Sequence, residues 1–337
     1  MTQAVTICVP VRNEARLLPG FLASIAGADL PGESRVRLCV LLDGCKDASA
    51  VIVREAREAF PFDVVIRERS GGRIPNAGDA RRAAMAMGRD LTGDAAGFLL
   101  SCDADGAVDP RWILDCLAAL EHAEIVCGRV ARHPGIVSPA QDRLEAYLDT
   151  LHGLRRTIDP VPWEASVTHH QTSAANMGIR TTTYARLGGF QAIPHGEDAR
   201  FVDDAERAGF RVRRDGTPLV HTSPRRLGRA PGGFAATMRA LDGGAMPIVA
   251  HPADAVWQYR MQAAARHAFA AGMPEAVAAQ LRLSEAHLVG VARDCPNAQA
   301  FAMRVVPVPP GGMRHIPLDR AETVISALGD VPRLAVA

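Results

Sequence analysis

The sequence has almost no excess of charge of either sign. Its 337 residues include 38 Lys and Arg against 37 Asp and Glu, which gives a formal net charge of +1 at pH 7. A general nucleic-acid-binding protein usually shows a strong basic excess or a basic stripe. The arginine-rich stretches at 211–214 and 225–229 are short and local. We therefore expect no nucleic-acid partner.

Long hydrophobic runs and paired cysteines are missing as well. No window approaches 18 uncharged apolar residues, so we expect no transmembrane segment. Residues 1–10 lack the basic start and the apolar stretch of a secretory signal. The seven cysteines form no C-x-x-C pair, which argues against a zinc cluster and favours buried free thiols. Together these absences predict a cytoplasmic protein.

The first 130 residues contain a regular alternation of strand and helix patterns. Apolar, strand-like runs lie at 5–9, 36–42, 64–66 and 97–102, and helical spacing lies between them at 16–26, 48–60 and 78–88. This alternation with short connections predicts an α/β fold with a mostly parallel sheet covered by helices. We expect residues 1–130 to form a Rossmann-like half. No G-x-G-x-x-G follows the first strand, which argues against a dehydrogenase.

The rest of the chain is less regular. Residues 131–230 show helical patterns at 138–156 and 198–208, strand patterns at 173–180, 210–213 and 219–221, and a Gly/Arg/Pro segment at 225–233 that fits no element. We expect this mixed region to complete the same domain. Within residues 231–337, residues 234–303 are Ala-rich and mostly helical, and residues 304–337 read as a loosely packed tail. They predict a helical C-terminal extension.

Two aspartates, Asp103 and Asp105, follow the buried strand at 97–102, with Ala104 between them. Ligands of open parallel sheets bind beyond the carboxyl ends of the strands. Two carboxylates at this spacing can converge on one Mg²⁺ or Mn²⁺ ion, which waters and phosphate oxygens would complete. Attraction between unit charges 4 Å apart is roughly 4 kcal/mol at an effective dielectric constant of 20, so a dication offers about twice that to a departing diphosphate. A plain Asx-rich turn is the alternative interpretation.

Further polar residues follow the first two predicted strands. Asp43 ends the second strand, where its carboxylate could accept from the N–H of a uracil-type base or belong to a plain Asp-Gly turn. Pro10, Arg12 and Glu14 follow the first strand and could hold a base and a ribose. The same segment could instead begin a helix with Asn13 as its cap.

Four later residues are also candidates. Arg81 lies at the start of the helix at 78–88, where basic side chains and free N–H groups suit a diphosphate, although a solvated basic face has the same pattern. Glu197 and Asp198 precede an amphipathic helix, so either carboxylate, with Asp198 favoured, could act as a general base or simply cap the helix. His221 ends a short strand and could be a metal ligand or an ordinary hydrogen-bonding histidine.

Taken in order, these segments resemble glycosyltransferase family 2, which has the GT-A fold. The resemblance covers roughly residues 4–230. It rests on V-P-V-R-N-E at 9–14, L-L-D-G-C-K-D at 41–47, D-A-D at 103–105, A-A-N-M-G-I-R at 174–180, L-G-G-F at 187–190 and G-E-D at 196–198. In two respects the chain departs from the family: Leu42 replaces the first of two adjacent aspartates, and residues 231–337 match no known pattern.

The resemblance implies an enzyme that takes a sugar from a nucleoside-diphosphate sugar, with a UDP-sugar favoured. It implies that Glu14 and Asp43 contact the nucleoside, that Asp105 binds the metal, and that Asp198 is the base of an inverting transfer. Asn176 and the turn at 188–189 would shape the acceptor side. The acceptor itself, a small molecule or a surface-presented glycan, is unknown.

The full hypothesis is a metal-dependent glycosyltransferase. The predicted metal ligands are Asp103, Asp105 and His221. The residues predicted to contact the donor are Pro10, Arg12, Glu14, Asp43, Arg81, Asp103, Ala104 and Asp105. Three alternatives stay open: a retaining enzyme with His221 on the metal, a sugar nucleotidyltransferase, and a binding module without catalysis. The nucleotidyltransferase usually has a Gly-rich basic loop after its first strand, which this chain lacks.

Overall fold

A computed structural model describes residues 3–32, 34–70, 76–93, 97–133, 135–223, 225 and 234–328. The unassigned segment at 225–233 therefore lies outside the described residues except for Arg225. Contacts within the chain define two units. The first comprises the described residues of Met1–Ile136, Ala165–Asp203 and Arg211–Ala236, and the second those of Val137–Glu164, Asp204–Phe210 and Thr237–Ala337.

Helices and strands alternate along most of the chain. In chain order they are β1 (Ala4–Val11), α1 (Leu18–Ala26), β2 (Arg35–Asp43), α2 (Ser49–Ala56), β3 (Asp63–Arg69), α3 (Ala77–Thr92), β4 (Phe98–Cys102), β5 (Ala107–Val108), α4 (Trp112–Leu120), β6 (Ile125–Arg132), α5 (Pro139–Ile158), β7 (Asn176–Arg180), α6 (Thr181–Arg186), α7 (Glu197–Arg207), β8 (Val212–Thr222), α8 (Phe234–Asp242), β9 (Ile248–Ala250), α9 (Pro252–Ala270), α10 (Ala278–Leu281), α11 (Glu285–Arg293), α12 (Ala298–Val305), β10 (His315–Pro317) and α13 (Leu318–Ala327).

Within the described residues, β1–β8 form one sheet in the order β3-β2-β1-β4-β7-β6-β8-β5. The four strands that alternate with helices at the start of the chain, β1 to β4, pair in parallel. A helix that returns the chain to the starting edge of the sheet makes the next strand run in the same direction. β7 is antiparallel to both of its neighbours, and β5 is antiparallel to β8. The predicted α/β class with a mostly parallel sheet is confirmed.

Both faces of β1 are covered by helices. Ile7 and Val9 point into a core that includes Phe21 of α1 and Trp112 of α4. The opposite face carries Cys8 and meets α3 at Gly88, where an added Cβ would lie 2.2 Å from the Cys8 sulfur. Glycine therefore allows α3 to pack directly on β1. This packing fixes where the start of α3 stands relative to the carboxyl ends of the strands.

Asn176 lies inside the sheet, where β6 and β8 shift register between Gly128 and Arg129. Its side chain is fully buried. The Asn176 amide donates to the carbonyls of Arg129 (2.8 Å) and Pro218 (2.9 Å), and its oxygen accepts from the Trp112 indole at 2.8 Å. A Cβ on Gly128 would be 2.4 Å from the Asn176 amide nitrogen. The asparagine therefore fills an irregularity of the sheet, whereas the resemblance gave it a place on the acceptor side.

Replacing Asn176 with Leu should destabilise the protein strongly. The change removes three buried hydrogen bonds, and each polar group left without a partner costs about 1–3 kcal/mol. We expect the midpoint of urea denaturation, followed by tryptophan fluorescence, to fall by an amount that corresponds to several kcal/mol of unfolding free energy. The exposed helix cap Asn297 provides the control, because Asn297→Ala should cost only about 1 kcal/mol. Equal losses in the two variants would contradict this role of Asn176.

The second unit is built mainly from helices. Tyr147 and Leu151 of α5 pack with Val249 of β9 and Leu318 of α13, and the Tyr147 hydroxyl donates to the Ala250 carbonyl at 2.7 Å. A second core joins α9, α11 and α12. The prediction of a loosely packed tail after residue 303 is wrong as far as residue 328, because β10 and α13 order this segment on apolar side chains.

Other element predictions need correction. The two strands expected at 210–213 and 219–221 are one strand, β8, which the register shift had concealed. The strand β6 and the helix α4 were not predicted; in β6 only three residues precede Gly128. Of the seven free cysteines, five are buried. No helix among the described residues has both the length and the hydropathy needed to cross a membrane.

Candidate functional site

A cavity of about 180 Å³ lies at the carboxyl ends of β1, β2 and β4. It is lined by Pro10, Val11, Arg12, Glu14, Asp43, Asn76, Ala77, Ala80, Arg81, Asp103, Ala104, Asp105 and Arg225. All eight residues predicted as donor contacts are in this set. The strand-end argument selected seven of them and the helix-start argument selected Arg81, and their contacts with a ligand stay predictions.

The loops after β1 and β2 are tied together, which positions the polar residues between them. Asn13 has a left-handed φ of 52°, and its side chain accepts from the backbone N–H of Lys46 at 2.7 Å. The N–H of Glu14 donates to the Ser49 hydroxyl at 2.8 Å. Asp47 accepts from the N–H of Ala15 at 2.9 Å. Asn13 thus stabilises a turn and does not cap α1.

Asp43 lies between two arginines at the floor of the cavity. Its buried carboxylate accepts from Arg12 Nη1 at 3.1 Å and from Arg69 Nε at 2.5 Å. Arg69 also pairs with Asp79 of α3 at 3.0 Å. Burial by itself would lower the pKa of Arg69, but the two carboxylates outweigh it and raise that pKa. The arrangement presents a carboxylate acceptor beside the guanidinium of Arg12.

Arg81 is a buried arginine that reaches several parts of the site. Its Nη2 pairs with Asp103 Oδ1 at 2.7 Å, and its Nε pairs with Glu197 Oε1 at 3.1 Å. Its Nη1 donates to the Ser101 hydroxyl at 2.9 Å and to the Ala174 carbonyl at 3.1 Å. Burial would lower the pKa of Arg81, but the charges of Asp103 and Glu197 outweigh it and raise that pKa.

Asp105 and Glu14 share a second arginine. Arg225 donates to both oxygens of Glu14, at 2.7 and 2.9 Å, and lies 3.0 Å from Asp105 Oδ2. The Ser223 hydroxyl donates to the same Asp105 oxygen at 3.1 Å. Burial and the negative charge of Asp103 raise the pKa of Asp105, against the opposing effects of Arg225 and Ser223. Ionised Asp105 is therefore a costly charge in the folded protein, which a bound cation would stabilise.

Carboxylates and arginines are paired around the cavity. Ion pairs among the described residues connect six carboxylates with four guanidiniums; the carboxylates are Glu14, Asp43, Asp79, Asp103, Asp105 and Glu197, and the guanidiniums are Arg12, Arg69, Arg81 and Arg225. Carboxylates are oxygen ligands that Mg²⁺ and Mn²⁺ accept.

His221 is not gathered with the two aspartates. It does not line the cavity, and its Nδ1 lies 3.3 Å from the Arg132 carbonyl. Within the described chain, no three His, Cys, Asp or Glu side chains are grouped to hold a metal. Asp103 and Asp105 stay the pair predicted to hold a cation, since Mg²⁺ commonly takes one or two carboxylates plus phosphates and waters.

Glu197 and Asp198 begin α7 but differ in their surroundings. Glu197 is buried and paired with Arg81, whereas Asp198 is partly exposed. Asp198 Oδ2 accepts from the N–H of Ala174 at 3.3 Å, and its Oδ1 accepts from the N–H of Ala199 at 2.8 Å. Neither carboxylate lines the cavity itself. The structure thus gives Glu197 an ion-pair partner and presents Asp198 as an oriented acceptor.

Sequence reasoning missed three contributors to the site. Arg69 is the last residue of β3, but the predicted strand ended at residue 66, so the strand-end rule did not reach it. Ser101 was hidden because it lies inside the apolar run of β4. Arg225 was noted only as part of an arginine-rich stretch, since nothing local shows that it pairs with Glu14, 211 residues earlier.

Comparison with known proteins decides the family. Residues 6–180, just over half of the chain, match the family profile described as Glycosyl transferase family 2. The chain belongs to glycosyl transferase family 2. The recognition made from the sequence is confirmed, and this family 2 protein is a glycosyltransferase. The eight-stranded sheet agrees with the GT-A fold expected of that family. Comparison with curated proteins finds no match.

Solved structures similar to this glycosyltransferase include two with bound donors. S. aureus TarS 1–349 in complex with UDP-GlcNAc is 18% identical with a TM-score of 0.49, over 90% of this chain and 89% of that one. The mannosyltransferase PcManGT from Pyrobaculum calidifontis, in complex with GDP-Man and Mn²⁺, is 16% identical with a TM-score of 0.48, over 98% and 81% of the two chains. A longer TarS structure, 18% identical with a TM-score of 0.47, matches over 79% of this chain, which spans 44% of TarS in that structure.

Proposed function

We propose that this glycosyltransferase moves a sugar from a nucleoside-diphosphate sugar, with a UDP-sugar favoured, to a hydroxyl group of an acceptor, with inversion at the anomeric carbon. The observation that carries the proposal is the cavity at the strand ends. It collects all eight residues selected as donor contacts, and the carboxylates of Asp103 and Asp105 are among them.

The nucleoside end of the donor lies between the loops after β1 and β2 in this proposal. Asp43 accepts from the N–H of the base, and Arg12 beside it donates to a neighbouring carbonyl oxygen of the base. Uracil, thymine and guanine offer such an N–H next to a carbonyl, whereas cytosine and adenine do not, so the preference for uracil rests on the family resemblance. Pro10 and Glu14 contact the remainder of the nucleoside.

Asp103 and Asp105 hold Mg²⁺ or Mn²⁺ together with the diphosphate. When bound, the cation stabilises the negative charge that accumulates on the departing nucleoside diphosphate. The chain's own part is to present two carboxylates at one strand end, with the buried Ala104 between them. Burial of Asp105 keeps solvent from screening its charge.

Asp198 acts as the general base. Its carboxylate takes the proton of the acceptor hydroxyl while that oxygen bonds to the anomeric carbon, and the bond from this carbon to the diphosphate oxygen breaks with its electron pair going to the diphosphate. The N–H groups of Ala174 and Ala199 hold the Asp198 oxygens in place for this step. The acceptor is a small molecule or a surface-presented glycan.

A donor screen with and without metal tests the proposal. A UDP-sugar plus Mn²⁺ should raise the melting temperature of the purified protein more than GDP- or TDP-sugars do at the same concentration, because the ligand with the lowest Kd stabilises most, by about 2.7 kcal/mol at 100 times its Kd. UDP should be released when an acceptor is present, and EDTA should stop the release. Consumption of pyrophosphate would instead indicate a nucleotidyltransferase, and donor binding without transfer or hydrolysis across a broad acceptor panel would indicate a binding module.

A further inference from the structure

Arg81 is a charged side chain of the site with several hydrogen-bond partners inside the protein. A guanidinium has five N–H donors, and the protein itself occupies four of those on Arg81: one at Glu197, one at Ser101, one at the Ala174 carbonyl and one at Asp103. The side chain is only 8% exposed. These partners come from β4, from the loop before β7 and from the start of α7, segments that are far apart in the sequence.

Arg81 contacts a proposed metal ligand and also the helix turn that carries the proposed base. On one side it holds Asp103, which is 42% exposed and therefore needs a partner to fix its orientation. On the other side it holds Glu197, the neighbour of Asp198 in the first turn of α7. One residue thus touches a proposed metal ligand and the helix turn that carries the proposed base.

A second path runs from Arg81 to Asp198 through a single residue. The Ala174 carbonyl accepts from Arg81 Nη1 at 3.1 Å and from the Ser101 hydroxyl at 2.7 Å. The Ala174 N–H donates to Asp198 Oδ2 at 3.3 Å. Because its carbonyl is held by two donors, Ala174 has little freedom to move, and its N–H is a fixed point for the carboxylate.

We propose that Arg81 is a positioning residue that couples Asp103 to Asp198 and that it does not itself bind the diphosphate. This inference rests on the proposed function, which supplies the roles of the two aspartates. A direct phosphate ligand needs free donors facing the cavity, whereas Arg81 has one N–H left and is neutralised by two carboxylates. Its task is to set the distance between the leaving-group end of the site and the base.

Lysine at position 81 would keep the positive charge but could not reproduce the hydrogen bonds of the guanidinium. An ammonium group is a single point of charge on a flexible stem and cannot span Asp103, Glu197 and the Ala174 carbonyl in one plane. Misplacement of a reacting group by about 1 Å can cost on the order of 100-fold in rate. We therefore expect Arg81→Lys to lower kcat about 100-fold.

The decisive readout is the split between turnover and nucleotide binding. In Arg81→Lys, the Kd for UDP without metal, measured by calorimetry, should change by less than about threefold, because a positioning residue makes no contact with the nucleotide. Arg82→Lys is the matched control. Arg82 is the next residue of α3 and donates to the Phe190 carbonyl at 3.0 Å, so this variant should keep wild-type kcat and Kd.

Ser101→Ala is a milder variant that covers the possibility that Arg81→Lys fails to fold. It removes the hydroxyl between Arg81 and Ala174 and leaves every charge in place. We expect kcat to fall about 5- to 10-fold with the same Kd for UDP. Its effect should largely disappear when Asp198 is already Asn, since the two changes act on the same step.

Three results would overturn the inference. If the metal-free Kd for UDP rises as much as kcat falls, Arg81 binds the diphosphate directly. If Arg81→Lys lowers only the melting temperature and turns over normally well below it, Arg81 is purely structural. If Ser101→Ala and Asp198→Asn lower kcat independently, the path through Ala174 does not exist. A wild-type protein that neither binds nor uses any nucleotide sugar would refute the proposed function instead, so the two failures are distinguishable.

Discussion

Asp105→Asn is expected to lose about 10²- to 10³-fold in sugar transfer and to unfold at the same or a higher temperature than the wild type. Stabilising the charge of the transition state through a metal contributes several kcal/mol, and each 1.36 kcal/mol corresponds to about tenfold in rate. Asparagine removes one of two carboxylates that this chain offers at the end of β4. Its side-chain oxygen can still accept from Ser223, so the fold keeps that contact.

The stability of Asp105→Asn should depend on pH in a defined direction. Burial and the charge of Asp103 raise the pKa of Asp105 in the folded protein. A group with a raised folded pKa contributes stability at low pH that is lost as the pH rises through that pKa. Asparagine does not titrate, so the variant does not lose this contribution to stability as the pH rises. The melting temperature of the variant minus that of the wild type should therefore increase from acidic to neutral pH, in metal-free buffer.

Asp115→Asn is the matched control for Asp105→Asn. Burial also raises the pKa of Asp115, which lies on α4 outside the cavity and contacts Arg111 at 3.6 Å. This variant should show the same sign of the pH effect on stability and keep full transfer activity. Normal, metal-independent transfer by Asp105→Asn would refute the metal role of this residue.

Asp198→Asn is expected to lower kcat about 100-fold or more while donor affinity stays within a factor of about three. General acid–base groups typically contribute 10²- to 10⁴-fold, roughly the loss expected when the acceptor proton has no carboxylate to receive it. Asparagine can still accept from Ala174 or Ala199, so the start of α7 should keep its structure. The rate of UDP release and the thermal shift with UDP plus Mn²⁺ measure the two effects separately.

Asp203→Asn provides the control on the same helix. Asp203 lies on α7 beyond its first turn and does not line the cavity, so this variant should transfer at the wild-type rate. Near-normal turnover in Asp198→Asn would place the base elsewhere or indicate a retaining reaction. The anomeric configuration of the product, determined by NMR, would then decide between those two results.

Much of the fold could be predicted because its signals are local. Apolar strand runs alternate with helical spacing up to residue 102, and a parallel sheet is the regular way to bury such strands. The irregular second half was harder. The register shift at Gly128 and Arg129 made β8 look like two strands, and the buried amide of Asn176 that stabilises this irregularity looks in sequence like any polar residue beside a strand.

Some residues of the candidate site could also be predicted from the sequence, and others could not. Asp43, Asp103 and Asp105 could be selected from the sequence, since each follows an apolar strand and the ends of parallel strands meet at one edge. His221 was selected by the same rule, but the structure places it beside the Arg132 carbonyl and away from the cavity lining. The position of a residue at a strand end predicts which edge it occupies but not which way its side chain points.

The sequence by itself determined the α/β class, the family and the carboxylates at the ends of β2 and β4, because periodicity and motif order are properties of neighbouring residues. Only the tertiary structure decided which charges meet. Arg81 forms an ion pair with Glu197, and Arg225 forms one with Glu14, although more than one hundred residues separate the partners in the sequence. Such pairs form where folding brings distant segments into one buried place, and burial is also what raises the pKa of Asp105. Local sequence patterns do not predict these long-range ion pairs.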